Sequence, residues 1–290
     1  MMGARRAMSS SVYSDPNFPL THDKRVHHLD VKEGEVAPRI LSVGDLGRAE
    51  RIAGFLDDPK GALRVPSKRG FVTITGTFQG TPISIVGTGM GIAMMDFVVR
   101  ETRAVVDGPM AIVRFGSSGG ISKAAHPGTI VVATDGACSV VRDPEGFLNP
   151  SSSCPPYRIS SLVRGDEKMT STLDSKLTAA LGADTIVHGV NVTADTFYSS
   201  QARTGTMFDD RNDDLMDRIH AKYPNATCME METFHLLDLA HHSHGTIKAT
   251  AAAIVLANRM SAEVLDGDSF ARLESVGGKA MLEVLAEAEL

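Results

Sequence analysis

Short apolar segments alternate along the chain with segments whose apolar residues recur at helical spacing. Residues 39–43 form an apolar run, and after a glycine-containing turn residues 48–56 carry apolar side chains at the spacing of a helix. Residues 71–78 and 82–87, separated by Gly80, predict a hairpin. Further strands are predicted over 110–115, 129–134, 185–193 and 246–257, and further helices over 92–106, 171–181, 214–221, 232–241 and 270–285. This alternation predicts an α/β fold.

The pattern predicts one domain preceded by an arm. Residues 1–20 are polar, rich in serine and without periodicity, which is typical of a flexible N-terminal arm. Residues 143–156 combine four prolines with Gly, Ser and Asn, and we interpret them as a long surface loop rather than a domain boundary. We therefore expect a single domain over residues 21–290.

Composition excludes several classes of function. A formal net charge of -6 argues against nucleic acid as the main partner, because neutralising phosphates requires a basic face. No apolar run approaches the ~18 to 20 residues needed to cross a bilayer, and no secretory signal is apparent, so we expect a cytoplasmic protein without a membrane partner. The three cysteines are far apart in sequence, and the histidines near residue 241 lack ligand spacing, so no disulfide and no metal site is expected.

Two glycine-containing segments at predicted strand ends are candidates to bind an anion. Residues 44–48 (GDLGR) lie where a strand passes into a helix, so free N–H groups would face an anion there. Arg114 ends an apolar strand and is followed by Ser117 and three glycines. Its guanidinium can hold two phosphate oxygens while Ser117 donates a third hydrogen bond. A salt bridge from Arg114 to a structural carboxylate is an equally weighted alternative.

Two acidic residues flank Met231 at the start of a predicted helix. Strand-like alternation would point Glu230 and Glu232 to one side, where paired carboxylates accept hydrogen bonds from vicinal hydroxyls such as those of ribose. The dipole of the following helix also explains one acid at this place without any ligand.

The segment 195–203 (DTFYSSQAR) combines side chains that can recognise a planar base. Phe197 offers a stacking surface, Gln201 both a donor and an acceptor, and Arg203 a guanidinium. As isolated residues in a polar loop they would be solvated surface. Arg259 ends a long apolar strand, where charged residues of α/β folds line ligand crevices, and a surface salt bridge is its alternative.

Together these segments resemble the nucleoside phosphorylase family. The resemblance covers residues 28–259 and is carried by SVGDLGR, RFGSSGGI, TADTFYSSQAR, MEMET and ANR, in this order. It implies the nucleoside phosphorylase fold, in which a central mixed, twisted and partly barrel-like sheet is flanked by helices within one domain.

The resemblance also implies a role for individual residues. Arg114, Gln201, Arg203 and Glu232 would be catalytic. Phosphate would be bound by Gly44, Arg48, Arg69, Arg114 and Ser117, ribose by His28, Ser117, Glu230, Met231 and Glu232, and the base by Phe197, Gln201, Arg203, Leu256 and Arg259, with Ala257 beside Leu256 in the apolar wall. His28 and Arg69 would come from a neighbouring subunit, which implies a homodimer or a hexamer built from dimers.

The implied reaction is phosphorolysis of a pyrimidine nucleoside, uridine first, to a free base and ribose 1-phosphate. Arg259 favours a pyrimidine because purine-specific members carry an aspartate at its place. Phosphate would be a co-substrate and no cofactor is implied; Gly70 replaces an acidic residue that helps bind a monovalent cation in some members, so no cation site is expected. Deoxyuridine and thymidine stay open as substrates. The alternatives are a purine phosphorylase, a nucleosidase of the same fold and a catalytically silent nucleoside-binding homologue.

Overall fold

The computed structural model describes residues 15–149, 151 and 153–290. Its strands are β1 (Arg39–Val43), β2 (Leu63–Pro66), β3 (Val72–Phe78), β4 (Thr81–Gly87), β5 (Met110–Gly120), β6 (Ile130–Val132), β7 (Ala137–Arg142), β8 (Tyr157–Ile159), β9 (Ile186–His188), β10 (Val190–Ala194), β11 (Ala226–Glu230) and β12 (Ile247–Asn258). Its helices are α1 (Leu46–Ala53), α2 (Ile92–Val105), α3 (Pro144–Leu148), α4 (Glu167–Leu181), α5 (Leu215–Lys222), α6 (Thr233–His241) and α7 (Gly267–Glu287).

The strands form one mixed sheet in the order β2-β3-β4-β1-β5-β11-β10-β7-β8, and β12 joins β5 to β6 and β9. Strands β4, β1, β5 and β12 are parallel neighbours, whereas β3 and β4 form an antiparallel hairpin. The chain is therefore a single α/β domain with a large mixed sheet flanked by helices, as the sequence predicts.

Strand β5 changes its neighbour along one edge. Its first half pairs with β1 as far as Phe115, and its last two residues, Gly119 and Gly120, pair antiparallel with β11. A side chain at residue 120 would place its Cβ 2.0 Å from the Ala125 carbonyl oxygen, so glycine is required for this close approach. The edge of β5 around Ser117 lies between these two partners, and the sheet opens there.

The two faces of the sheet pack against different helices. In β1, Ile40 belongs to an apolar cluster with α2 and α6, whereas Leu41 and Val43 belong to a cluster with α1, α4 and α7. Successive side chains of a strand point to opposite faces, so β5 alternates in the same way. Arg114 consequently lies on the face of α2 and α6, and Phe115 on the face of α7.

Most predicted elements are present with bounds within a few residues, including the hairpin and α2. The strands β2, β7, β8 and β11 were not predicted, and three predicted segments differ from the structure. The segment 185–193 is two strands, because Gly189 takes a φ of 149° and lies tightly against Asn225 and Thr227. The strand beginning at Met110 continues to Gly120, and the loop 143–156 contains the short helix α3.

The predicted N-terminal arm falls mainly on residues 1–14, which lie outside the described residues. Leu20 forms a bridge with Val26, and Phe18 and Leu20 pack against the cluster of α2 and α6. Among the helices of the described part of the chain, none has both the length and the apolar character that crossing a membrane requires.

The packing of α7 on β5 gives a test of the fold. A side chain at residue 277 would place its Cβ 2.6 Å from Cζ of the buried Phe115 ring. We expect Gly277→Val to lower the free energy of unfolding by about 1–3 kcal/mol through overpacking, measured by urea denaturation. Gly267→Ala, where no atom lies within 4 Å of the added Cβ, is the control and should change stability by less than about 0.5 kcal/mol. Equal changes in the free energy of unfolding in the two variants would contradict the close packing of Gly277 against Phe115.

Candidate active site

A cavity of about 460 Å³ opens where the parallel strands of the sheet end. Its walls come from the turns after β1 and β4, the second half of β5, the loop after β10, the end of β11 and β12 near its end. It is lined by Gly44, Asp45, Arg48, Gly89, Met90, Arg114, Ser117, Ser118, Gly119, Phe197, Gln201, Arg203, Met229, Glu230, Met231, Glu232, Leu256 and Ala257. Carboxyl ends of parallel strands are the usual ligand crevice of such sheets.

Arg114 lies at one end of the cavity and is only 3% exposed. It is the register partner of Ser42 across β1 and β5, and its Nη1 donates to Ser42 Oγ at 3.3 Å and to Thr88 Oγ1 at 3.1 Å. Its Nη2 donates to Glu232 Oε2 at 2.7 Å, and its buried Nε has no hydrogen-bond partner within the described residues. Arg114 thus has a carboxylate partner and an unused donor beside the cavity.

Arg48 lies in the same part of the cavity, at the start of α1. Asp45 caps this helix by accepting from the Arg48 N–H at 2.6 Å. The buried guanidinium donates from Nη2 to Ser117 Oγ at 2.6 Å and from Nη1 to the Phe115 carbonyl oxygen at 3.2 Å. Burial lowers the pKa of Arg48 from its ordinary value, with Glu274 acting in the opposite direction. Two buried guanidinium groups and the Ser117 hydroxyl therefore converge here.

Gly44 allows the backbone to approach this cluster closely. A Cβ at this position would lie 3.2 Å from Arg114 Nη2 and 3.3 Å from the Gly89 carbonyl oxygen. The predicted phosphate ligands Gly44, Arg48, Arg114 and Ser117 are thus brought together in one wall of the cavity.

The middle of the cavity is formed by the segment 229–232. Glu232 accepts from Arg114 with Oε2 and from the Gly91 N–H with Oε1 at 2.5 Å. Glu230 accepts from Thr193 Oγ1 at 2.6 Å and from the N–H groups of Glu232 and Thr233. Strand β11 ends at Glu230, so the predicted strand alternation does not extend to Glu232. The Glu230 carboxylate instead satisfies the N–H groups at the start of α6.

The far end of the cavity is formed by the loop after β10. Gln201 is buried, and its Oε1 accepts from Arg203 Nη2 at 3.3 Å. Arg203 lies over the Phe197 ring, 3.9 Å from its centroid, and donates from Nε to the Phe197 carbonyl oxygen at 3.0 Å. The structure therefore brings Phe197, Gln201, Arg203, Leu256 and Ala257 into the same cavity. This group lies near the last residues of β5, because Arg259, which bonds Gln201, has its Nε 3.5 Å from where a Cβ of Gly119 would be, at the opposite end of the cavity-lining part of β5 from Arg114.

Arg259 does not line the cavity, although the sequence predicts it as a base ligand. It donates from Nη2 to Gln201 Oε1 at 2.8 Å and from Nη1 to the Gln201 carbonyl oxygen. Burial, together with the nearby charge of Arg203, lowers the pKa of Arg259 to about 10. In this chain Arg259 holds Gln201 in place.

His28 and Arg69 lie outside the cavity of their own chain. Nδ1 of His28 is 2.6 Å from Glu101 Oε1, and its ring stacks on Phe97 with 3.6 Å between centroids. Ser67 donates to the His28 carbonyl oxygen, which joins the segment of His28 to the turn that carries Arg69. The two residues predicted to reach a neighbouring subunit therefore lie on linked segments.

Two residues that support the site were missed in the sequence. Asn212 donates from Nδ2 to the Ser199 carbonyl oxygen at 2.9 Å and to that of Arg203 at 3.2 Å, so it ties both ends of the turn that carries Gln201. Glu274 accepts from Arg48. Asn212 lies in a polar segment, so nothing in the sequence distinguishes it from its neighbours. Glu274 could have been found, because it is a lone acid on the apolar face of a predicted helix and a buried acid requires a partner.

No group of three or more His, Cys, Asp and Glu side chains in the described ranges has the arrangement of a metal site. The polar groups of the cavity are guanidinium, amide, hydroxyl and carboxylate. They can bind an anion at one end, hydroxyls in the middle and a planar polar group at the other end.

The chain is similar to known proteins in sequence and in fold. The model of the family described as Phosphorylase superfamily matches residues 38–288. A solved structure from work on two uridine phosphorylases of the oomycete Phytophthora capsici is 40% identical, with a TM-score of 0.91 over 96% of this chain and 100% of the other. A uridine phosphorylase of Thermococcus kodakarensis is 28% identical over 84% of this chain and 82% of its own length. A Trypanosoma brucei nucleoside phosphorylase, at 22% identity and a TM-score of 0.73 over 93% of this chain and 100% of the other, shares the fold.

The buried Glu230 gives a test by pH. Burial, with the neighbouring Glu232 carboxylate, raises the pKa of Glu230 from 4.5 to about 7. The folded state therefore holds a proton that the unfolded state has released, and this contribution to stability is lost as the pH rises from about 4.5 to about 7. Glu230→Gln should remove that loss. The free energy of unfolding of the variant, measured in urea titrations, should therefore increase relative to that of the wild type as the pH rises across this range. A difference that does not change with pH would contradict the raised pKa.

Proposed function

The chain belongs to the phosphorylase superfamily, and we propose that it is a uridine phosphorylase. It transfers the ribosyl group of uridine to inorganic phosphate, giving uracil and ribose 1-phosphate in a reversible reaction. It is thus a pentosyltransferase of pyrimidine salvage and nucleoside catabolism, and its substrates are phosphate and a nucleoside.

The observation that carries this proposal is the order of chemical groups across one cavity. Arg48, Arg114 and Ser117 supply donors for a phosphate at one end, and Glu232 lies next to them as an acceptor for sugar hydroxyls. Gln201 and Arg203 supply donors at the opposite end. A phosphate, a ribose and a base are arranged in this same order when phosphate attacks the anomeric carbon.

The proposed chemistry balances without a covalent enzyme intermediate. A phosphate oxygen forms a bond to the anomeric carbon while the bond from that carbon to N1 of uracil breaks, and the bonding pair leaves with the base. The uracil anion then takes up one proton, which balances the proton that hydrogen phosphate gives up on becoming the sugar ester. Arg48 and Arg114 hold the phosphate, whose negative charge stabilises the cationic sugar. Donors from Gln201 and Arg203 stabilise the negative charge on the leaving uracil. Such preorganised charges contribute several kcal/mol because they act more strongly in the transition state than on bound substrate.

The hydrogen bonds of Gln201 favour a base that presents carbonyl oxygens, as uracil does. A guanidinium can only donate, so the Gln201 oxygen must face Arg203 and Arg259, and its NH₂ group is left for a ligand. The groups that face the base are then donors, which match the carbonyl oxygens of uracil. The exocyclic amine of cytosine would meet donors and be rejected.

The three alternatives are each disfavoured by a specific feature. A nucleosidase would use water, for which two buried arginines beside the Ser117 hydroxyl have no purpose. A purine phosphorylase would have an acid near the base, where this chain has Gln201, Arg203 and Arg259. A silent binding protein is disfavoured because every polar residue to which the family resemblance gives a role in catalysis, Arg114 and Glu232 among them, is present in this chain.

We extend the proposal to a homodimer in which the His28 and Arg69 segments of one subunit complete the cavity of the other. Their position outside their own cavity supports this arrangement. A hexamer built from such dimers and a cytoplasmic address stay predictions.

The reaction is tested by its dependence on phosphate. We expect uracil and ribose 1-phosphate to form from uridine when phosphate is supplied, with chromatography following both products. Deoxyuridine and thymidine assayed beside uridine measure the sugar and methyl preference, and inosine should be a poor substrate. Equal turnover of uridine without phosphate would instead favour the nucleosidase.

The two ends of the cavity are tested by one substitution each. Arg114→Ala removes a charged donor at the anion end and should raise the KM for phosphate or lower kcat/KM by roughly 10- to 150-fold. Gln201→Leu should cause a loss of the same order in kcat/KM for uridine while the KM for phosphate changes little. Unchanged kinetics in both variants would contradict the assignment of the cavity.

A further inference from the structure

Glu274 of α7 is a buried carboxylate held between two arginines. It is 2% exposed, and its Oε2 accepts from Arg48 Nε at 2.8 Å. Its Oε1 accepts from Arg51 Nε, and Arg51 is an exposed residue one turn further along α1. Glu274 itself does not line the cavity, but it contacts an arginine that does.

The hydrogen bond to Glu274 fixes the direction in which Arg48 points. The guanidinium is planar, so when Nε–H is occupied the remaining donors are the two N–H groups on each of Nη1 and Nη2. Nη1 is directed at the Phe115 carbonyl oxygen and Nη2 at Ser117 Oγ. Faces of the Phe115 and Phe270 rings lie 5.7 and 5.6 Å from the guanidinium carbon, which restricts movement out of this plane.

The negative charge of Glu274 is stabilised by its two arginine partners but acts against the binding of an anion nearby. Burial raises the pKa of Glu274, but hydrogen bonds from Arg51 and Arg48 outweigh burial, so the pKa is lowered overall and the group is ionised at neutral pH. A buried negative charge beside a site for phosphate opposes the binding of that anion. Its presence is explained if the geometry it imposes on Arg48 is worth more than the repulsion.

We propose that Glu274 is a positioning residue for phosphate: it orients the Arg48 guanidinium so that the remaining N–H groups of Nη1 and Nη2, beside Ser117 Oγ, meet the anion. This inference rests on the proposed function, because it takes phosphate as the ligand of that end of the cavity. The negative charge of Glu274 and its orienting contact with Arg48 predict opposite effects on phosphate binding when Glu274 is replaced. Removing a negative charge alone would tighten phosphate binding, whereas removing an orienting contact weakens it.

The test is the dissociation constant of inorganic phosphate, measured by isothermal titration calorimetry on the full chain. Glu274→Gln should raise it roughly tenfold or more, the loss expected for a hydrogen bond to a charged group. Glu274→Asp keeps the charge but shortens the side chain, so it should weaken phosphate binding as well. If Glu274→Gln does not fold, Glu274→Asp tests the same positioning role.

Two further variants separate orientation of Arg48 from a general effect on the fold. In an Arg48→Ala background, Glu274→Gln should cause no additional loss of phosphate affinity, because the residue through which it acts is gone. Arg51→Gln removes the other partner of Glu274 and is the matched control, with phosphate binding expected within about twofold of wild type. In steady-state assays, Glu274→Gln should raise the KM for phosphate and leave the KM for uridine unchanged.

The outcomes are distinguishable. Unchanged or tighter phosphate binding by Glu274→Gln, or normal binding by Glu274→Asp, would overturn the positioning role and leave the proposed function intact. An equal loss in Arg51→Gln would also overturn it, because Glu274 would then act by tethering α1. A wild-type chain that does not bind phosphate would overturn the proposed function and, with it, this inference.

Discussion

The buried ion pair between Arg114 and Glu232 is the interaction on which the cavity depends. It joins the central strand β5 to the start of α6 over 2.7 Å, and the second oxygen of Glu232 holds the N–H of Gly91 before α2. One carboxylate thereby fixes three segments that are distant in sequence. Removing either partner would leave an uncompensated buried charge, which costs far more than the intact pair contributes. In the proposed reaction Arg114 binds phosphate and Glu232 binds the sugar hydroxyls, so the contact that holds these segments together would also serve the chemistry.

The position of the cavity follows from the way β5 exchanges partners. Strand β1 ends opposite Phe115, and β11 joins the same edge at Gly119. Around Ser117 the edge faces the cavity, and the N-terminus of α1 enters there with Arg48. A neighbouring strand that continued past Phe115 would pair with this edge and leave no space for the cavity. The cavity therefore lies along the part of the β5 edge, between Phe115 and Gly119, that is paired with neither β1 nor β11.

Much of this could be predicted from the sequence, since apolar periodicity located most helices and the longer strands, and Arg114 after an apolar run indicated a buried charge. The short strands β2, β7, β8 and β11 were not predicted. The ends of elements were harder. Gly189 interrupts an apolar segment that has the pattern of one strand, because the backbone conformation it permits is not visible in hydrophobicity. Contacts made across the fold were also hidden. Nothing in the local pattern connects Glu274 with Arg48, or Asn212 with the turn around Gln201.

The groups at the two ends of the cavity are built on different kinds of support. Arg114 and Ser117 are part of the innermost strand, packed from both sides, whereas Gln201 and Arg203 sit in a loop held by a few hydrogen bonds to Asn212 and Arg259. A change in the loop can be accommodated without disturbing the sheet, but a change in the strand cannot. Such a division lets the preference for the leaving group diverge while the nucleophile stays the same, so variation in substrate range within this architecture should be concentrated in the residues around 197–203.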